Sequence, residues 1–271
     1  MTVSGKAQST FSNYIRCLAH MANHFTYLPH ELDTEQVEEY LYLLKTEHNT
    51  PSDSFFKHTV YGLRYVYKMY GLKNKHISLP AIQRPKTLPV VMNDEEVKLM
   101  LKTPKLLKHK IILSVLYDCG VRCFELRNIK IADLDFRRKK LHVRVGKGRK
   151  DRYLPLTDML IRGLKKYISA ENPQIWLFNG QPDGHGKPTP YSQHGIQWIV
   201  RQTRKDTGLE KHITTHTFRH TYATHLIEFG MDLPSLKCLL GHALIETTMI
   251  YLHLAQMGRS KPFGPLDRLY A

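Results

Sequence analysis

The stretch DLDFRRKKLHVRVGKGRKDRYLPL, Asp133–Leu156, alternates where its surroundings repeat at helical spacing. Leu141, Val143 and Val145 point one way, and Leu154 and Leu156 close a return strand. Between the two runs lies Gly146-Lys147-Gly148-Arg149-Lys150, whose glycines and positive charge suit a hairpin turn. On both sides of this hairpin the pattern turns helical. KIILSVLYDCG reads as a buried helix ending near Gly120. TDMLIRGLKKYIS, SQHGIQWIVRQTRKDTG, HTFRHTYATHL, DLPSLKCLLG and IETTMIYLHL read as further helices. One antiparallel hairpin set among helices predicts a mainly α fold with a small antiparallel β-sheet.

Working toward the first residue, NDEEVKLMLKTP opens a helix with Asn93 as N-cap and Glu96 in the capping-box position. Before it, LPAIQRPKTLPVV carries three prolines and no helical period, which marks a linker. The segment upstream, from about Thr10 to Gly71, is helical throughout. TEQVEEYLYLLKTE follows a cap at Asp33 or Thr34, and DSFFKHTVYGLRYVYKMYG ends at Gly71. Its tyrosines 61, 65, 67 and 70 are expected mostly in the core. The chain therefore divides into a helical domain over residues 1–80, a linker over 81–91, and a mixed α+β domain over 92–271.

Lys and Arg number 40 against 24 Asp and Glu, a formal charge of +16 over 271 residues. A solvated surface does not need that surplus, and a polyanionic partner such as nucleic acid accounts for it. The four cysteines, Cys17, Cys119, Cys123 and Cys238, form no C-x-x-C pair, so no zinc knuckle or redox motif is legible. The first residues are polar rather than a signal sequence, and no apolar run approaches the ~20 residues of a membrane span. A cytoplasmic, DNA-associated protein with no membrane partner is expected.

The stretch His216–Leu226, HTFRHTYATHL, concentrates polar chemistry on a helix. At about 100° per residue, Phe218, Tyr222, His225 and Phe229 share one side, expected in the core. His216, Arg219, His220 and Ala223 share the other. Such a face suits a metal or an anion. The zinc reading lacks a glutamate after His216, where Thr217 stands, and lacks a third ligand nearby. The anion reading fits, because Arg219 can hold two phosphate oxygens at once. Elsewhere, Arg122 follows Gly120 and can reach into a cleft, although Glu125 offers it a local partner. Lys147 sits on the hairpin tip, His242 beside a helix break, and Tyr251 on the next helix.

In order and spacing, Arg122, Lys147 in a strand-turn-strand, His216-x-x-Arg219, Leu240-Gly241-His242 and Tyr251 nine residues later resemble the tyrosine recombinases, the phage integrase family, in particular its two-domain Xer-like members. The resemblance covers nearly the whole chain. It implies that residues 1–80 are a SAM-like core-binding DNA-binding domain and that 92–271 are the catalytic domain. It implies a site-specific recombinase or integrase of mobile-element or chromosomal type that cleaves and rejoins DNA through a 3′-phosphotyrosine formed by Tyr251. Arg122, Arg219 and His242 would hold the phosphate, His216 would act as base or proton relay, and Lys147 would protonate the leaving 5′-oxygen. No metal, cofactor or ATP is implied, and no G-x-x-x-x-G-K-[ST] is present. The implied partners are double-stranded DNA with paired half-sites and a tetramer of this chain, with a second recombinase or a DNA-bending factor as further candidates. The apolar residues after Tyr251, Phe263, Leu266, Leu269 and Tyr270, would couple neighbouring subunits. A type IB-like DNA-relaxing enzyme and a DNA-binding regulator with a vestigial site are the alternative readings.

Overall fold

The computed structural model describes residues 8–46, 53–79, 88–144 and 151–258. It separates into two units, Met1–Lys86 and Thr87–Ala271. In the first, α1 (Gln8–Phe25), α2 (Thr34–Thr46) and α3 (Asp53–Met69) enclose a core of Met21, Val37, Tyr40, Leu41, Phe56, Leu63 and Tyr67. Asp33 opens α2 as expected: its Oδ1 accepts the Gln36 N–H at 2.8 Å, and the Gln36 amide oxygen accepts the Asp33 N–H at 3.1 Å. Gly71, at φ +69°, turns the chain after α3. The tyrosine expectation fails here. Tyr67 is 3% exposed, but Tyr61 and Tyr70 lie on the surface, where Tyr61 stacks against the Arg64 guanidinium and Tyr70 against His30. Amphipathic rings can lie flat on a wet surface, which periodicity alone does not register.

The second unit is built around α5 (Leu107–Cys119), in which Ile111, Ile112, Leu113, Val115 and Leu116 are all buried. A helix with so many buried apolar side chains belongs at the centre of a helical domain. Packed near it are α4 (Asp94–Lys102), α6 (Cys123–Arg127), α7 (Asp158–Glu171) and α8 (Gln193–Thr207). Asn93 and Glu96 form the expected capping box on α4. The sheet has three antiparallel strands, β1 (Leu134–Asp135), β2 (Lys140–Val143) and β3 (Arg152–Pro155), in that order. Leu141 pairs with Leu154, and both face the core with Val143, while His142 and Tyr153 stack on the outer face. The two-residue strand β1 was not expected, since two residues are too few to alternate. Val145 and the turn carrying Lys147 lie outside the described residues, as do most of the linker and everything after Gly258.

Three helices complete the unit: α9 (Thr215–Glu228), α10 (Leu233–Leu240) and α11 (Glu246–Gly258). Sequence reading gave α9 a core side and a polar side. In the structure it is enclosed on both: Phe218, Tyr222 and His225 are buried, and so are Arg219 and Ala223 opposite them. Phe229, placed by the wheel on the core side, is 75% exposed at the end of the helix. Its buried polar groups find partners except Thr224 Oγ1, which has none among the described residues. His225 pairs Nδ1 with the Tyr117 hydroxyl at 2.9 Å and Nε2 with the Met92 carbonyl at 3.0 Å, and Thr221 Oγ1 accepts the Met92 N–H at 3.0 Å. A second, smaller cluster of Tyr222, Ala223, Ile227, Leu236, Leu240, Tyr251 and Ala255 holds α10 and α11 against α9. Among the described residues no helix is long and apolar enough to cross a membrane.

Candidate active site

Two helix ends create the site. α5 stops at Gly120, in the left-handed region at φ +55°, and α10 stops at Gly241, at φ +63°. The last carbonyls of a helix have no partner within it and carry the negative end of its dipole. Here they receive arginines. Arg219 donates from Nη1 to the Gly120 carbonyl and from Nη2 to the Leu240 carbonyl, each at 2.6 Å. Arg152 donates from Nε to the Leu239 carbonyl at 2.7 Å. Gly120 has no room for another residue: a Cβ there would lie 2.2 Å from the Tyr222 ring.

Immediately after Gly120 the chain turns into α6 with Arg122 as its N-cap residue. Glu125, 5% exposed, gathers the neighbourhood. It accepts the Arg122 N–H at 2.8 Å, Arg122 Nη1 at 3.0 Å, and a fork of two bonds from Arg152 at 3.0 and 2.9 Å. Burial alone would raise the Glu125 pKa, but the Arg152 fork and the Arg122 contacts outweigh it and hold the carboxyl at about 2. Arg122 thus has the local Glu125 partner seen in the sequence and also faces the cluster. Two guanidiniums, those of Arg122 and Arg152, are bonded to this one carboxylate, and that of Arg219 lies near enough to feel its charge. Arg219 itself is bonded only to carbonyls and an imidazole, and burial followed by the nearby Arg122 charge pulls its pKa down to about 10. A surplus of buried positive charge with N–H groups to donate attracts an anion such as phosphate.

The nucleophile candidate stands beside it. Tyr251, on α11, is 2% exposed, and burial raises its pKa while Arg219 and Arg122 pull the other way. His242, just past Gly241, stacks on the Tyr251 ring at 6.4 Å and 17°. Its Nδ1 pairs with Thr248 Oγ1 at 3.0 Å and its Nε2 with Arg219 Nη2 at 3.2 Å. Burial first, then the arginines, lower the His242 pKa to about 4. The imidazole that touches the Tyr251 hydroxyl is His220, with Nδ1 at 3.0 Å. His216 stands one helical turn earlier with its ring 6.4 Å from that of His220, and it makes no hydrogen bond to Tyr251 among the described residues. Partial burial, Arg219 and Arg122 lower its pKa.

Five of the six residues singled out in the sequence, Arg122, His216, Arg219, His242 and Tyr251, therefore converge, and Lys147 lies outside the described residues. Sequence reasoning gave no role to His220, Arg152 or Thr248. His220 carried a signal, since it lies one turn from His216 on the same stripe. Arg152 carried none, because its function here depends on α10 meeting β3. Among the described residues no group of three or more His, Cys, Asp or Glu is placed to hold a metal ion.

Residues 90–257 match the phage integrase family. The chain is 36% identical over 207 residues to a tyrosine recombinase of Thermosipho africanus, covering 75% of this chain and 69% of that one. Its fold superposes on the crystal structure of XerA recombinase with a TM-score of 0.55 at 25% identity, covering 97% of this chain and 96% of the other. It also superposes on XerH recombinase bound to a palindromic difH substrate with a TM-score of 0.71 at 21% identity, over 91% and 76% of the two chains, a likeness of fold. With the matched region spanning both the arginine cluster and Tyr251, the chain belongs to the phage integrase family and is a tyrosine recombinase, an enzyme that cleaves and rejoins DNA strands.

Proposed function

We propose that this recombinase acts at paired half-sites on double-stranded DNA and that Tyr251 is its nucleophile. The observation that carries the reading is a buried tyrosine hydroxyl held by an imidazole beside three clustered guanidiniums, two of them bonded to one carboxylate. Tyr251 Oη attacks a phosphodiester, the P–O5′ bond breaks, and a 3′-phosphotyrosine and a 5′-hydroxyl result. An ordinary tyrosine is ionised about one part in a thousand at pH 7, so the site must favour the phenolate as it develops. Arg122 and Arg219 face the two non-bridging oxygens, and His242 adds a third contact. His242 Nε2 now accepts from Arg219; an incoming phosphate oxygen competes for that N–H and frees the imidazole to take up a proton and donate. Lys147 supplies the proton to the 5′-oxygen and His216 stands as base or relay; both roles rest on the resemblance. The phosphotyrosine conserves the bond energy, so rejoining needs neither ATP nor a metal.

Residues 1–80 are proposed as the core-binding domain, 81–91 as linker and 92–271 as the catalytic domain, a division supported by the separation into two units at Lys86. Four strands must break in one exchange, and each chain offers one nucleophile, so four chains meet at the synapse. The relatives that match are recombinases, which favours strand exchange over relaxation of a single duplex.

A library of nicked duplexes with randomised half-sites tests this. In the presence of EDTA the protein is expected to form an SDS-stable adduct with a subset of sequences, recovered and read by sequencing. No adduct in EDTA, with activity restored by zinc or magnesium, would sink the metal-free reading.

A further inference from the structure

We propose that His220 takes the phenolic proton of Tyr251 as Oη bonds to phosphorus, and returns it when the strand is rejoined. The inference rests on the reading of Tyr251 as nucleophile. It starts from the bonding inventory around Oη. Arg122, Arg152 and Arg219 are donors only. His242 lies flat against the Tyr251 ring with both nitrogens engaged, and because Arg219 can only donate, His242 Nε2 is the acceptor in that pair. His216 is a helical turn away from the hydroxyl's partner, so of the two roles given it by the resemblance it keeps that of relay behind His220. His220 Nδ1, at 3.0 Å, is the described acceptor within hydrogen-bond reach of the nucleophilic oxygen.

Electrostatics make this base conditional on substrate. The groups that face His220 are His216 and Arg219 on its own helix, Tyr251 on α11, His242 after α10, and Arg122 beyond Arg219. Burial, His216 and Arg219 together bring its pKa down to about 4, so the ring is neutral at pH 7 and keeps one lone pair. The same causes, burial and the His216 and Arg219 charges, make it a poor proton acceptor by themselves. A phosphodiester bound to Arg122 and Arg219 brings negative charge to the place where Arg219 acts on His220. That raises the basicity of the imidazole when a phosphorus is in reach of Oη. In the forward step the Oη–P bond forms, the P–O5′ bond breaks, its electron pair leaves on O5′, and O5′ is protonated by the site's acid while the phenolic proton passes to Nδ1. The reverse step restores each of these.

The test uses four variants of the full chain with a nicked half-site substrate, reading single-turnover adduct formation and half-site affinity. His220→Asn places an amide oxygen near the position of Nδ1; it can accept the bond but cannot take the proton. His220→Ala removes both. Both are expected to bind half-sites as the parent does and to form adduct about a hundredfold or more slowly, the ordinary span of general-base catalysis. Their rates should climb with pH, as unassisted ionisation of the phenol requires. A substrate with sulfur in place of the bridging 5′-oxygen, which leaves without an acid, should not restore them. Full cleavage by His220→Asn would reduce His220 to a support and overturn proton transfer. A His216→Asn variant that alone showed the hydroxide-dependent slope would move the base to His216. Tyr251→Phe separates the two layers of the argument: an adduct formed by it removes the underlying reading, whereas its silence together with unimpaired His220 variants removes this inference alone.

Discussion

Tyr251→Phe is expected to bind DNA with the affinity of the parent and to form no covalent adduct. The change removes one oxygen whose described partner is His220, a net loss on the order of 1 kcal/mol in stability, while the ring keeps its stacking on His242 and its place beside Leu240 and Ala255. Adduct formation is lost because the hydroxyl placed beside the arginines is gone. Tyr222, one turn from Arg219 on α9, is 7% exposed, its ring fills the space against Gly120, and burial drives its pKa far upward. An SDS-stable complex formed by the variant would transfer the nucleophile elsewhere, with Tyr270 as the first residue to test.

Arg219→Ala should reduce cleavage by about a thousandfold or more, with a much smaller loss in half-site affinity. Removing a single preorganised donor from a charge-stabilising site costs about 10²–10³ in rate, and this arginine offers two donors and a full charge. The variant also strands the Gly120 and Leu240 carbonyls, at about 1–3 kcal/mol for each buried acceptor left unpaired, partly offset by relief of repulsion from Arg122 and Arg152. Arg219→Lys keeps the charge but cannot span two carbonyls and a phosphate with a planar fork, so it should fall between parent and alanine. Rates from nicked-substrate trapping beside binding isotherms decide the matter. Equal losses in binding and cleavage would make Arg219 a phosphate anchor without a part in the chemistry.

Much of the fold was legible because its signals are local. Asn93 and Glu96 announce α4 three residues apart, Gly120 ends α5, and Leu141 and Val143 alternate as a strand must. What escaped was set by tertiary packing. The wheel of α9 assumes one wet side, but Arg219 is buried because two other helices end against it. The outward tyrosines of α3 repeat at the spacing of core residues, so the period could not sort Tyr67 from Tyr61. In the site, residues of special type at special spacing were visible, and those whose meaning comes from a neighbour were not. Glu125 reads as a helix-surface acid until Arg152 arrives from β3, and His220 reads as the polar half of a wheel until α11 brings Tyr251 to it.

The two hydrophobic clusters of the second unit give its halves different local stabilities. Phe218 ties α9 into the large core around α5, whereas Tyr251 and Ala255 belong to the small cluster that joins α9, α10 and α11. Helices held by less buried area open at lower free energy, without global unfolding. The arginine cluster is anchored on α9, α6 and β3 and on the ends of α5 and α10, whereas the nucleophile hangs on α11 alone, within the smaller cluster. Withdrawal of α11 would therefore silence cutting while most of the grip on the phosphate persists. In hydrogen–deuterium exchange the amides of α11 should lose protection well before those of α5; simultaneous exchange of both helices would show that holding and cutting melt as one.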